Sequence, residues 1–247
     1  MSFASFPLRW IPALLLCAAS TSFAGVSAAT PLPSLLRSLY PGYDPASGVL
    51  AAEGLKLAGV IAPGLDSRGA RRVPLIVVWS PLERGGSGQP CRMCPRIVDV
   101  AVADSAGRPI AFSRELFQLE AEAEISLAQE DFLNADRHGI IGVRIRRSAS
   151  GVVSENLHLI DVRPPSRIVF GAQSLLATCG SSGPDLPKQR LEAALEHDPS
   201  ASFPLSLHRT VSDCSGNVSE ETISPLLWDL EGRRYVEGPP QELRVTR

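Results

Sequence analysis

Two cysteines separated by two residues are the first candidates for chemistry in this sequence. Cys91-Arg-Met-Cys94 has the spacing used for thiol–disulfide exchange, in which a thiolate attacks a disulfide. A catalytic pair needs its first cysteine at the N-terminus of a helix, because the helix dipole stabilises the thiolate. Here Pro95 follows at once, and the β-branched, alternating segment 97–102 favours a strand. The pattern therefore favours a structural crosslink, and a redox site is the alternative.

The N-terminus predicts export. Arg9 precedes an apolar stretch at residues 11–19, and a run of small residues leads to Ala28. This is the pattern of a secretion signal, and we predict cleavage after Ala28, with cleavage after Ala24 as the alternative. An uncleaved membrane anchor is a further alternative, because segment 10–29 carries no charge. The predicted location is periplasmic or secreted.

Removal of residues 1–28 leaves four of the five cysteines. An even number in an oxidising compartment favours two disulfides over free thiols, and three pairings are formally available. Proximity in sequence favours Cys91 with Cys94 and Cys179 with Cys214. The second pair closes a loop of about 36 residues, for which the chain-entropy model gives a stabilisation of about 4 kcal/mol.

Short apolar runs separated by turn residues begin at Val49 and predict antiparallel sheet. The predicted strands are 73–79, 97–103, 108–112, 140–146, 152–161, 226–230, 233–236 and 243–245. They indicate an all-β, antiparallel β-sandwich-like domain over residues 49–247, stabilised by disulfides, with a subdivision near 163–166 left open. Residues 29–48 contain four prolines and predict a lead-in with a short helix at 34–40.

Two segments allow more than one structure. The Ala and Glu content of residues 119–127 favours helix, but their strict alternation favours a strand that turns its three glutamates to solvent. We predict the strand. Residues 187–198 fit a helix that begins at Pro187, or the first arm of a hairpin with residues 203–211. The sequence leaves both open.

Charge excludes one class of partner and predicts one exposed surface. With 24 basic and 26 acidic residues the net charge is −2, which gives no positive field for nucleic acid. Three arginines of one predicted strand form a small basic strip, and we expect a solvated face in which they pair with glutamates of segment 119–127. The residues concerned are Arg144, Arg146, Arg147, Glu120, Glu122 and Glu124.

Other motifs predict no catalytic residue, no cofactor and no metal ion. Four histidines stand without a second ligand at helical or strand spacing: His138, His158, His197 and His208. Residues 213–219 alternate like the start of a calcium loop, but they lack the glycine and glutamate that such a loop needs at fixed positions. A plain turn is therefore expected there.

The same turn carries a family resemblance. Thr210-Val-Ser-Asp213-Cys-Ser-Gly216-Asn217-Val-Ser219 resembles the T-x-x-D-x-x-G-N-x-S hairpin between the last two strands of bacterial immunoglobulin-like domains. The resemblance implies a β-sandwich with an adhesive, binding or scaffolding role, and it brings no catalytic residues. Gly142-Val-Arg144 and Glu155-Asn-Leu157-His-Leu159 are similar to secreted bacterial proteins of unknown function, which implies no activity.

These observations predict an exported, non-enzymatic binding or structural module of the bacterial cell envelope. The alternative is a periplasmic thiol–disulfide protein that uses Cys91 and Cys94. The expected partner is an envelope protein or a glycan, and nucleic acid is excluded. We expect the protein to contact a membrane only through the signal segment, and only if that segment stays uncleaved.

Overall fold

The computed structural model describes residues 32–62, 72–83, 88–104, 108–128, 139–163, 165–181, 187–198 and 205–243. One α-helix, α1, spans Leu32–Leu39, and a short 3-10 helix spans Ala51–Glu53. The strands are β1 Tyr43–Asp44, β2 Val49–Leu50, β3 Leu55–Ile61, β4 Arg72–Pro81, β5 Arg96–Asp104, β6 Pro109–Leu119, β7 Glu124–Leu127, β8 Ile140–Ala149, β9 Val152–Asp161, β10 Arg167–Ala177, β11 Gln189–His197, β12 Leu205–Asp213, β13 Val218–Asp229, β14 Arg234–Glu237 and β15 Gln241–Glu242.

The strands form two antiparallel sheets whose order follows the chain. Sheet A contains β1 to β6 and sheet B contains β7 to β14, each strand paired with its neighbours in sequence, and β15 adds to β13. Antiparallel strands need only short connections, which agrees with the turn residues between the apolar runs. The predicted all-β, antiparallel, sandwich-like class is confirmed.

Strand β4 lies at the centre of the fold because both of its faces are covered. Its even-numbered residues, Ile76 and Val78, lie in the core between the two sheets, with Val143 of β8 on the opposite side. Its odd-numbered residues, among them Trp79, face a second core on the outer surface of sheet A. A strand buried on both faces shows no polar alternation, which explains the continuous apolar run at 73–79.

Helix α1 closes the outer core. Leu35, Leu36 and Leu39 are buried there against sheet A. A fully buried leucine contributes about 1.5–3 kcal/mol relative to an exposed one, so these three side chains fix the helix on the sheet. The helix falls in the segment predicted as a lead-in; it begins two residues before the predicted span 34–40 and ends one residue before the end of that span.

The second half of sheet B encloses a third core. Its buried residues come from β8 to β13 and include Leu157, Phe170, Leu195, Leu207 and Leu226. Strand β14 returns to within 8 Å of β10, Cα to Cα. The described residues show no pairing between these two strands, and a cleft of about 380 Å³ lies between them. Sheet B therefore curls toward itself around this core.

The prediction of one strand over residues 119–127 is wrong. Strand β6 ends at Leu119, residues 120–123 turn, and β7 begins at Glu124. The backbone N–H of Ala123 donates to the carbonyl of Glu120 at 3.1 Å, and Ala123 is buried in the core between the sheets. The turn is needed because the chain passes here from sheet A to sheet B. All three glutamates are nevertheless exposed, as expected.

Two other segments are decided by pairing. Residues 189–197 form the first arm of a hairpin, in which Leu195 of β11 lies opposite Leu207 of β12. Burial of alternate residues such as Ala193 and Leu195 favours strand over helix here. The strand predicted at 243–245 lies mostly outside the described residues, and the chain pairs with β13 through Gln241 and Glu242, just before it. Leu243 follows β15, and residues 244–245 lie outside the described residues.

The predicted basic strip is confirmed in part. Arg147 contacts the carboxylate of Glu120, and Arg146 lies opposite Glu124 in the β7–β8 register. Arg144 instead donates from Nη1 to Glu155 on the neighbouring strand at 3.0 Å. The register explains this difference, because Arg144 lies opposite Ser126 of β7 rather than a glutamate.

Candidate functional site

The Cys91–Cys94 pair is a disulfide at the start of β5. The two Cα atoms are 5.4 Å apart, and the segment 91–95 is bent, without a helix, before β5 begins at Arg96. The backbone N–H of Cys91 donates to the carbonyl of Pro81 at 2.7 Å, which ties the pair to the end of β4. Met93 between the cysteines is 82% exposed. In this part of the chain no helix N-terminus lies beside either sulfur.

The second disulfide joins Cys179 to Cys214, with 5.6 Å between the Cα atoms. Cys179 follows the end of β10 and Cys214 follows the end of β12. Because β10 and β12 are both antiparallel to β11, their C-terminal ends lie at the same edge of sheet B. The two disulfides are therefore those that proximity in sequence favours.

The turn at residues 213–217 is stabilised by the side chain of Asp213. Oδ1 of Asp213 accepts hydrogen bonds from the backbone N–H groups of Ser215 at 2.8 Å and Asn217 at 2.9 Å. Oδ2 accepts from Nδ2 of Asn217 at 2.7 Å, and these bonds hold the pKa of Asp213 below its ordinary value. The carboxylate thus stabilises a hairpin turn between β12 and β13. No cluster of three metal-ligating side chains was found among the described residues.

A carboxylate at the centre of sheet A is the most deeply buried acidic group among the described residues. Asp99 of β5 is 0% exposed. Its Oδ2 accepts hydrogen bonds from the Tyr40 hydroxyl at 2.6 Å and from Trp79 Nε1 at 3.0 Å. Its Oδ1 accepts from the backbone N–H of Glu115 at 2.7 Å, where the backbone takes a positive φ of 50°. Burial, followed by the hydrogen bond to Asp99, raises the pKa of Tyr40.

An arginine completes this network at the surface. Nε of Arg114 lies 3.8 Å from Oδ2 of Asp99. The Arg114 guanidinium also binds both carboxylate oxygens of Glu53. The same guanidinium lies 5.5 Å from the centre of the Tyr40 ring. The network joins the residue that follows α1, the 3-10 helix and three strands of sheet A, so it stabilises the packing of these elements on one another. Its sequence signal is a single aspartate inside an alternating apolar strand.

The histidines lie in different surroundings. His208 on β12 lies between two carboxylates of the adjacent strands, 2.8 Å from Oε1 of Glu196 and 2.9 Å from Oε1 of Glu221. Burial opposes protonation, but the hydrogen bonds that the protonated ring donates to both glutamates outweigh it and raise the pKa of His208. His158 is largely buried beside Phe117, and burial lowers its pKa. His138 lies outside the described residues.

A basic groove lies where the turn between β9 and β10 meets the turn between β13 and β14. It has a volume of about 520 Å³. The described residues that line it are Asp161, Arg163, Pro165, Arg167, Trp228, Leu230 and Arg233. We call this set the arginine groove. Two turns more than 60 residues apart in sequence build it, and none of its residues was a candidate from sequence alone.

The β13–β14 turn places Arg233 at the groove. A Cβ atom on Gly232 would lie 2.4 Å from Oδ2 of Asp229, so a larger residue at this position would require the Asp229 side chain to move. Oδ1 of Asp229 accepts the backbone N–H of Glu231 at 3.0 Å. Arg233 then takes a positive φ of 47°, which is uncommon for a residue with a side chain. The sequence signal for this turn was Glu231-Gly232.

One of the three arginines already has a partner. The backbone N–H and Nε of Arg163 donate to Oδ1 of Asp161 at 3.0 and 2.8 Å, and Nη2 donates to Oδ2 at 2.8 Å. Burial alone would raise the pKa of Asp161, but the hydrogen bonds from Arg163 hold it below its ordinary value. At neutral pH the two charges therefore cancel.

The other two arginines carry the charge of the groove. Nε of Arg167 is buried without a hydrogen-bond partner among the described atoms. Three arginines and one aspartate give the lining a net charge of +2 (3 − 1). Arginine presents its donors as a planar fork that matches a carboxylate.

Trp228 and Leu230 form an apolar surface beside the charged residues of the arginine groove, and we call it the apolar ledge. Trp228 is 39% exposed and Leu230 is 81% exposed. The Trp228 ring meets the ring of Tyr235 edge to face, with centroids 4.9 Å apart and an interplanar angle of 72°. This contact holds the indole in one orientation beside the arginines. The arrangement provides a rigid apolar surface next to a cationic one and contains no nucleophile–base pair.

No helix among the described residues is long and apolar enough to cross a membrane.

The comparisons with known proteins identify no relative. No protein-family model, no curated protein and no solved structure matches the chain.

Proposed function

We propose that this protein is an exported, non-enzymatic binding module of the bacterial cell envelope, and that the arginine groove is its site for an anionic ligand. The observation that carries the proposal is the excess of positive charge in the groove. Asp161 neutralises Arg163, which leaves Arg167 and Arg233 to bind an acid. A carboxylate gives such arginines bidentate, charge-assisted hydrogen bonds.

Export is supported by two independent features of the chain. The N-terminal 28 residues have the pattern of a secretion signal. The remaining four cysteines form two disulfides, which persist in oxidising compartments outside the cytoplasm. The test is the intact mass of the exported protein. We expect a mass that lacks residues 1–28, and a mass that still includes residues 1–24 would favour the uncleaved anchor.

Ligand binding is tested with two small acids of different chemistry, trigalacturonate and triglutamate. Each is titrated at about 0.15 M salt, where screening weakens non-specific surface attraction. Maltotriose and triglutamine are the neutral controls. We expect at least one acid to bind and its neutral counterpart not to bind. Binding of neither acid would refute the proposed site.

A double variant localises the binding. Replacing Arg167 and Arg233 by glutamine removes the charge but keeps a polar side chain that can donate a hydrogen bond. A charge-assisted hydrogen bond contributes about 1.5–3 kcal/mol, so we expect affinity to fall about 10- to 100-fold or more. The matched control is Arg37→Gln, since Arg37 is exposed on α1 against the outer face of sheet A. Equal effects of the double variant and the control would place binding elsewhere.

A further inference from the structure

We propose that the acid bound by the arginine groove is a carboxylate-bearing sugar whose pyranose ring lies against Trp228. This inference rests on the proposed function and adds the ligand class. It starts from the apolar ledge rather than from the charges. A site that bound only an acidic group would need no exposed indole beside its arginines.

The exposure of Trp228 is unusual within this protein. Trp79, the other tryptophan in the described residues, is 0% exposed, whereas Trp228 is 39% exposed although it lies on a strand. The edge-to-face contact with Tyr235 prevents it from turning freely. Leu230 extends the apolar surface and is 81% exposed. An apolar surface held open at the lining of a groove is typical of a ligand site.

The ligand must match two neighbouring surfaces at once. It needs a flat apolar face for the indole and a carboxylate for Arg167 and Arg233. A pyranose ring that carries a carboxylate combines both on one rigid unit, because its axial C–H groups form an apolar face and its acid projects from the ring edge. A glutamate side chain carries its acid on a flexible stem without such a face, and ordering that stem costs entropy.

The remaining groups of the groove suit hydroxyl groups. Arg163 uses its backbone N–H, Nε and Nη2 on Asp161. Its side chain is 59% exposed, so Nη1 can donate to a hydroxyl of a bound sugar.

Tryptophan fluorescence gives a direct readout of this contact. After removal of residues 1–28 the chain contains only Trp79 and Trp228, and Trp79 is fully buried. Acrylamide, a neutral quencher, therefore reports on Trp228. We expect saturating trigalacturonate to protect Trp228 from quenching in the unmodified protein. We expect triglutamate to give less protection at equal saturation.

A tryptophan variant separates the ring contact from the charge contact. Trp228→Leu keeps apolar bulk against Tyr235 but removes the flat ring. We expect it to weaken trigalacturonate binding at least 10-fold and to change triglutamate binding less than 2-fold. The matched control is Ile110→Ala, which shortens an exposed apolar side chain on β6, and it should change neither affinity. The quenching experiment needs no variant and stands if Trp228→Leu fails to fold.

The outcomes distinguish the two proposals. If neither acid binds, the proposed function fails and the sugar inference fails with it. If both acids bind equally well, without protection of Trp228 and without loss in Trp228→Leu, the groove is an anion site and the sugar inference is overturned. Tighter binding of triglutamate would also overturn it and would indicate an acidic protein partner.

Discussion

Asp99→Asn is the substitution that the structure predicts to be most damaging for its size. The variant keeps the shape of the side chain but replaces one oxygen by an NH₂ group. Oδ1 of Asp99 accepts from the backbone N–H of Glu115, and Oδ2 accepts from Tyr40 and Trp79. Neither amide orientation suits these donors. One places NH₂ against the Glu115 N–H, and the other places it against the indole N–H, which cannot accept.

The expected cost follows from these contacts. One buried donor is left without an acceptor, which costs about 1–3 kcal/mol, and the surviving hydrogen bonds lose the strength that the charge gave them. The ion pair with Arg114 adds little, because Nε is 3.8 Å away and the guanidinium binds Glu53 as well. We expect a loss of about 2–4 kcal/mol in the free energy of unfolding. For a chain of this length that corresponds to a fall in Tm of about 5–15 °C.

Denaturant titration followed by tryptophan fluorescence measures this loss, since Trp79 is part of the network. Tyr40→Phe removes a single hydrogen bond to the same carboxylate and should cost about 1.5–3 kcal/mol. Asp104→Asn makes the same chemical change on the same strand. Asp104 pairs with the largely exposed Arg108, so Asp104→Asn should lower the free energy of unfolding by less than about 1 kcal/mol. Equal stability of Asp99→Asn and Asp104→Asn would refute the reasoning.

Three further predictions concern one histidine and the two disulfides. The raised pKa of His208 stabilises the fold fully below the ordinary value of about 6.5, and this contribution is lost as the pH rises above it. The parent should therefore lose more stability than His208→Gln between pH 6 and 8, roughly the range around that value, and parallel pH profiles would contradict this. Serine at Cys179 and Cys214 should cost about 4 kcal/mol by the chain-entropy model, whereas serine at Cys91 and Cys94 should cost about 2 kcal/mol or less, because the closed loop is so short. Equal losses in denaturant would contradict that order. After mild reduction, Cys91 and Cys94 should react with an alkylating agent like ordinary thiols at neutral pH, and a fast-reacting thiol would support the thiol–disulfide alternative.

The positions of several strands and turns were predictable from sequence. Strand β9 begins and ends at the predicted residues, Val152 and Asp161, and the β13–β14 turn lies at the predicted Glu231-Gly232. Period-two alternation carries this information because each face meets a different environment. The alternation could not show that the chain turns at residues 120–123, because a crossing between sheets depends on partners far away in sequence.

The arginine groove could not be predicted for a related reason. Its charged residues come from segments 161–167 and 228–233, and each segment by itself resembles an ordinary polar turn. Only the curl of sheet B brings them together. Asp99 differs, because a single aspartate in an apolar strand must find buried partners, and that requirement can be stated before the structure is known. Its partner Tyr40 lies 59 residues away and could not be named.

The order of the disulfides along the chain has a consequence for how the protein is made. Cys91 joins the next cysteine in the sequence, Cys94, and Cys179 likewise joins the next, Cys214. In a chain that emerges from a membrane channel N-terminus first, an oxidant that links each new thiol to the last unpaired one reaches the native pattern directly. No wrong pair then has to be reshuffled, which is a slow step. The hairpins of both sheets also close in the order in which they emerge. If the protein is exported as proposed and residues 1–28, which contain Cys17, are removed, we expect its maturation to need an oxidase but no disulfide isomerase.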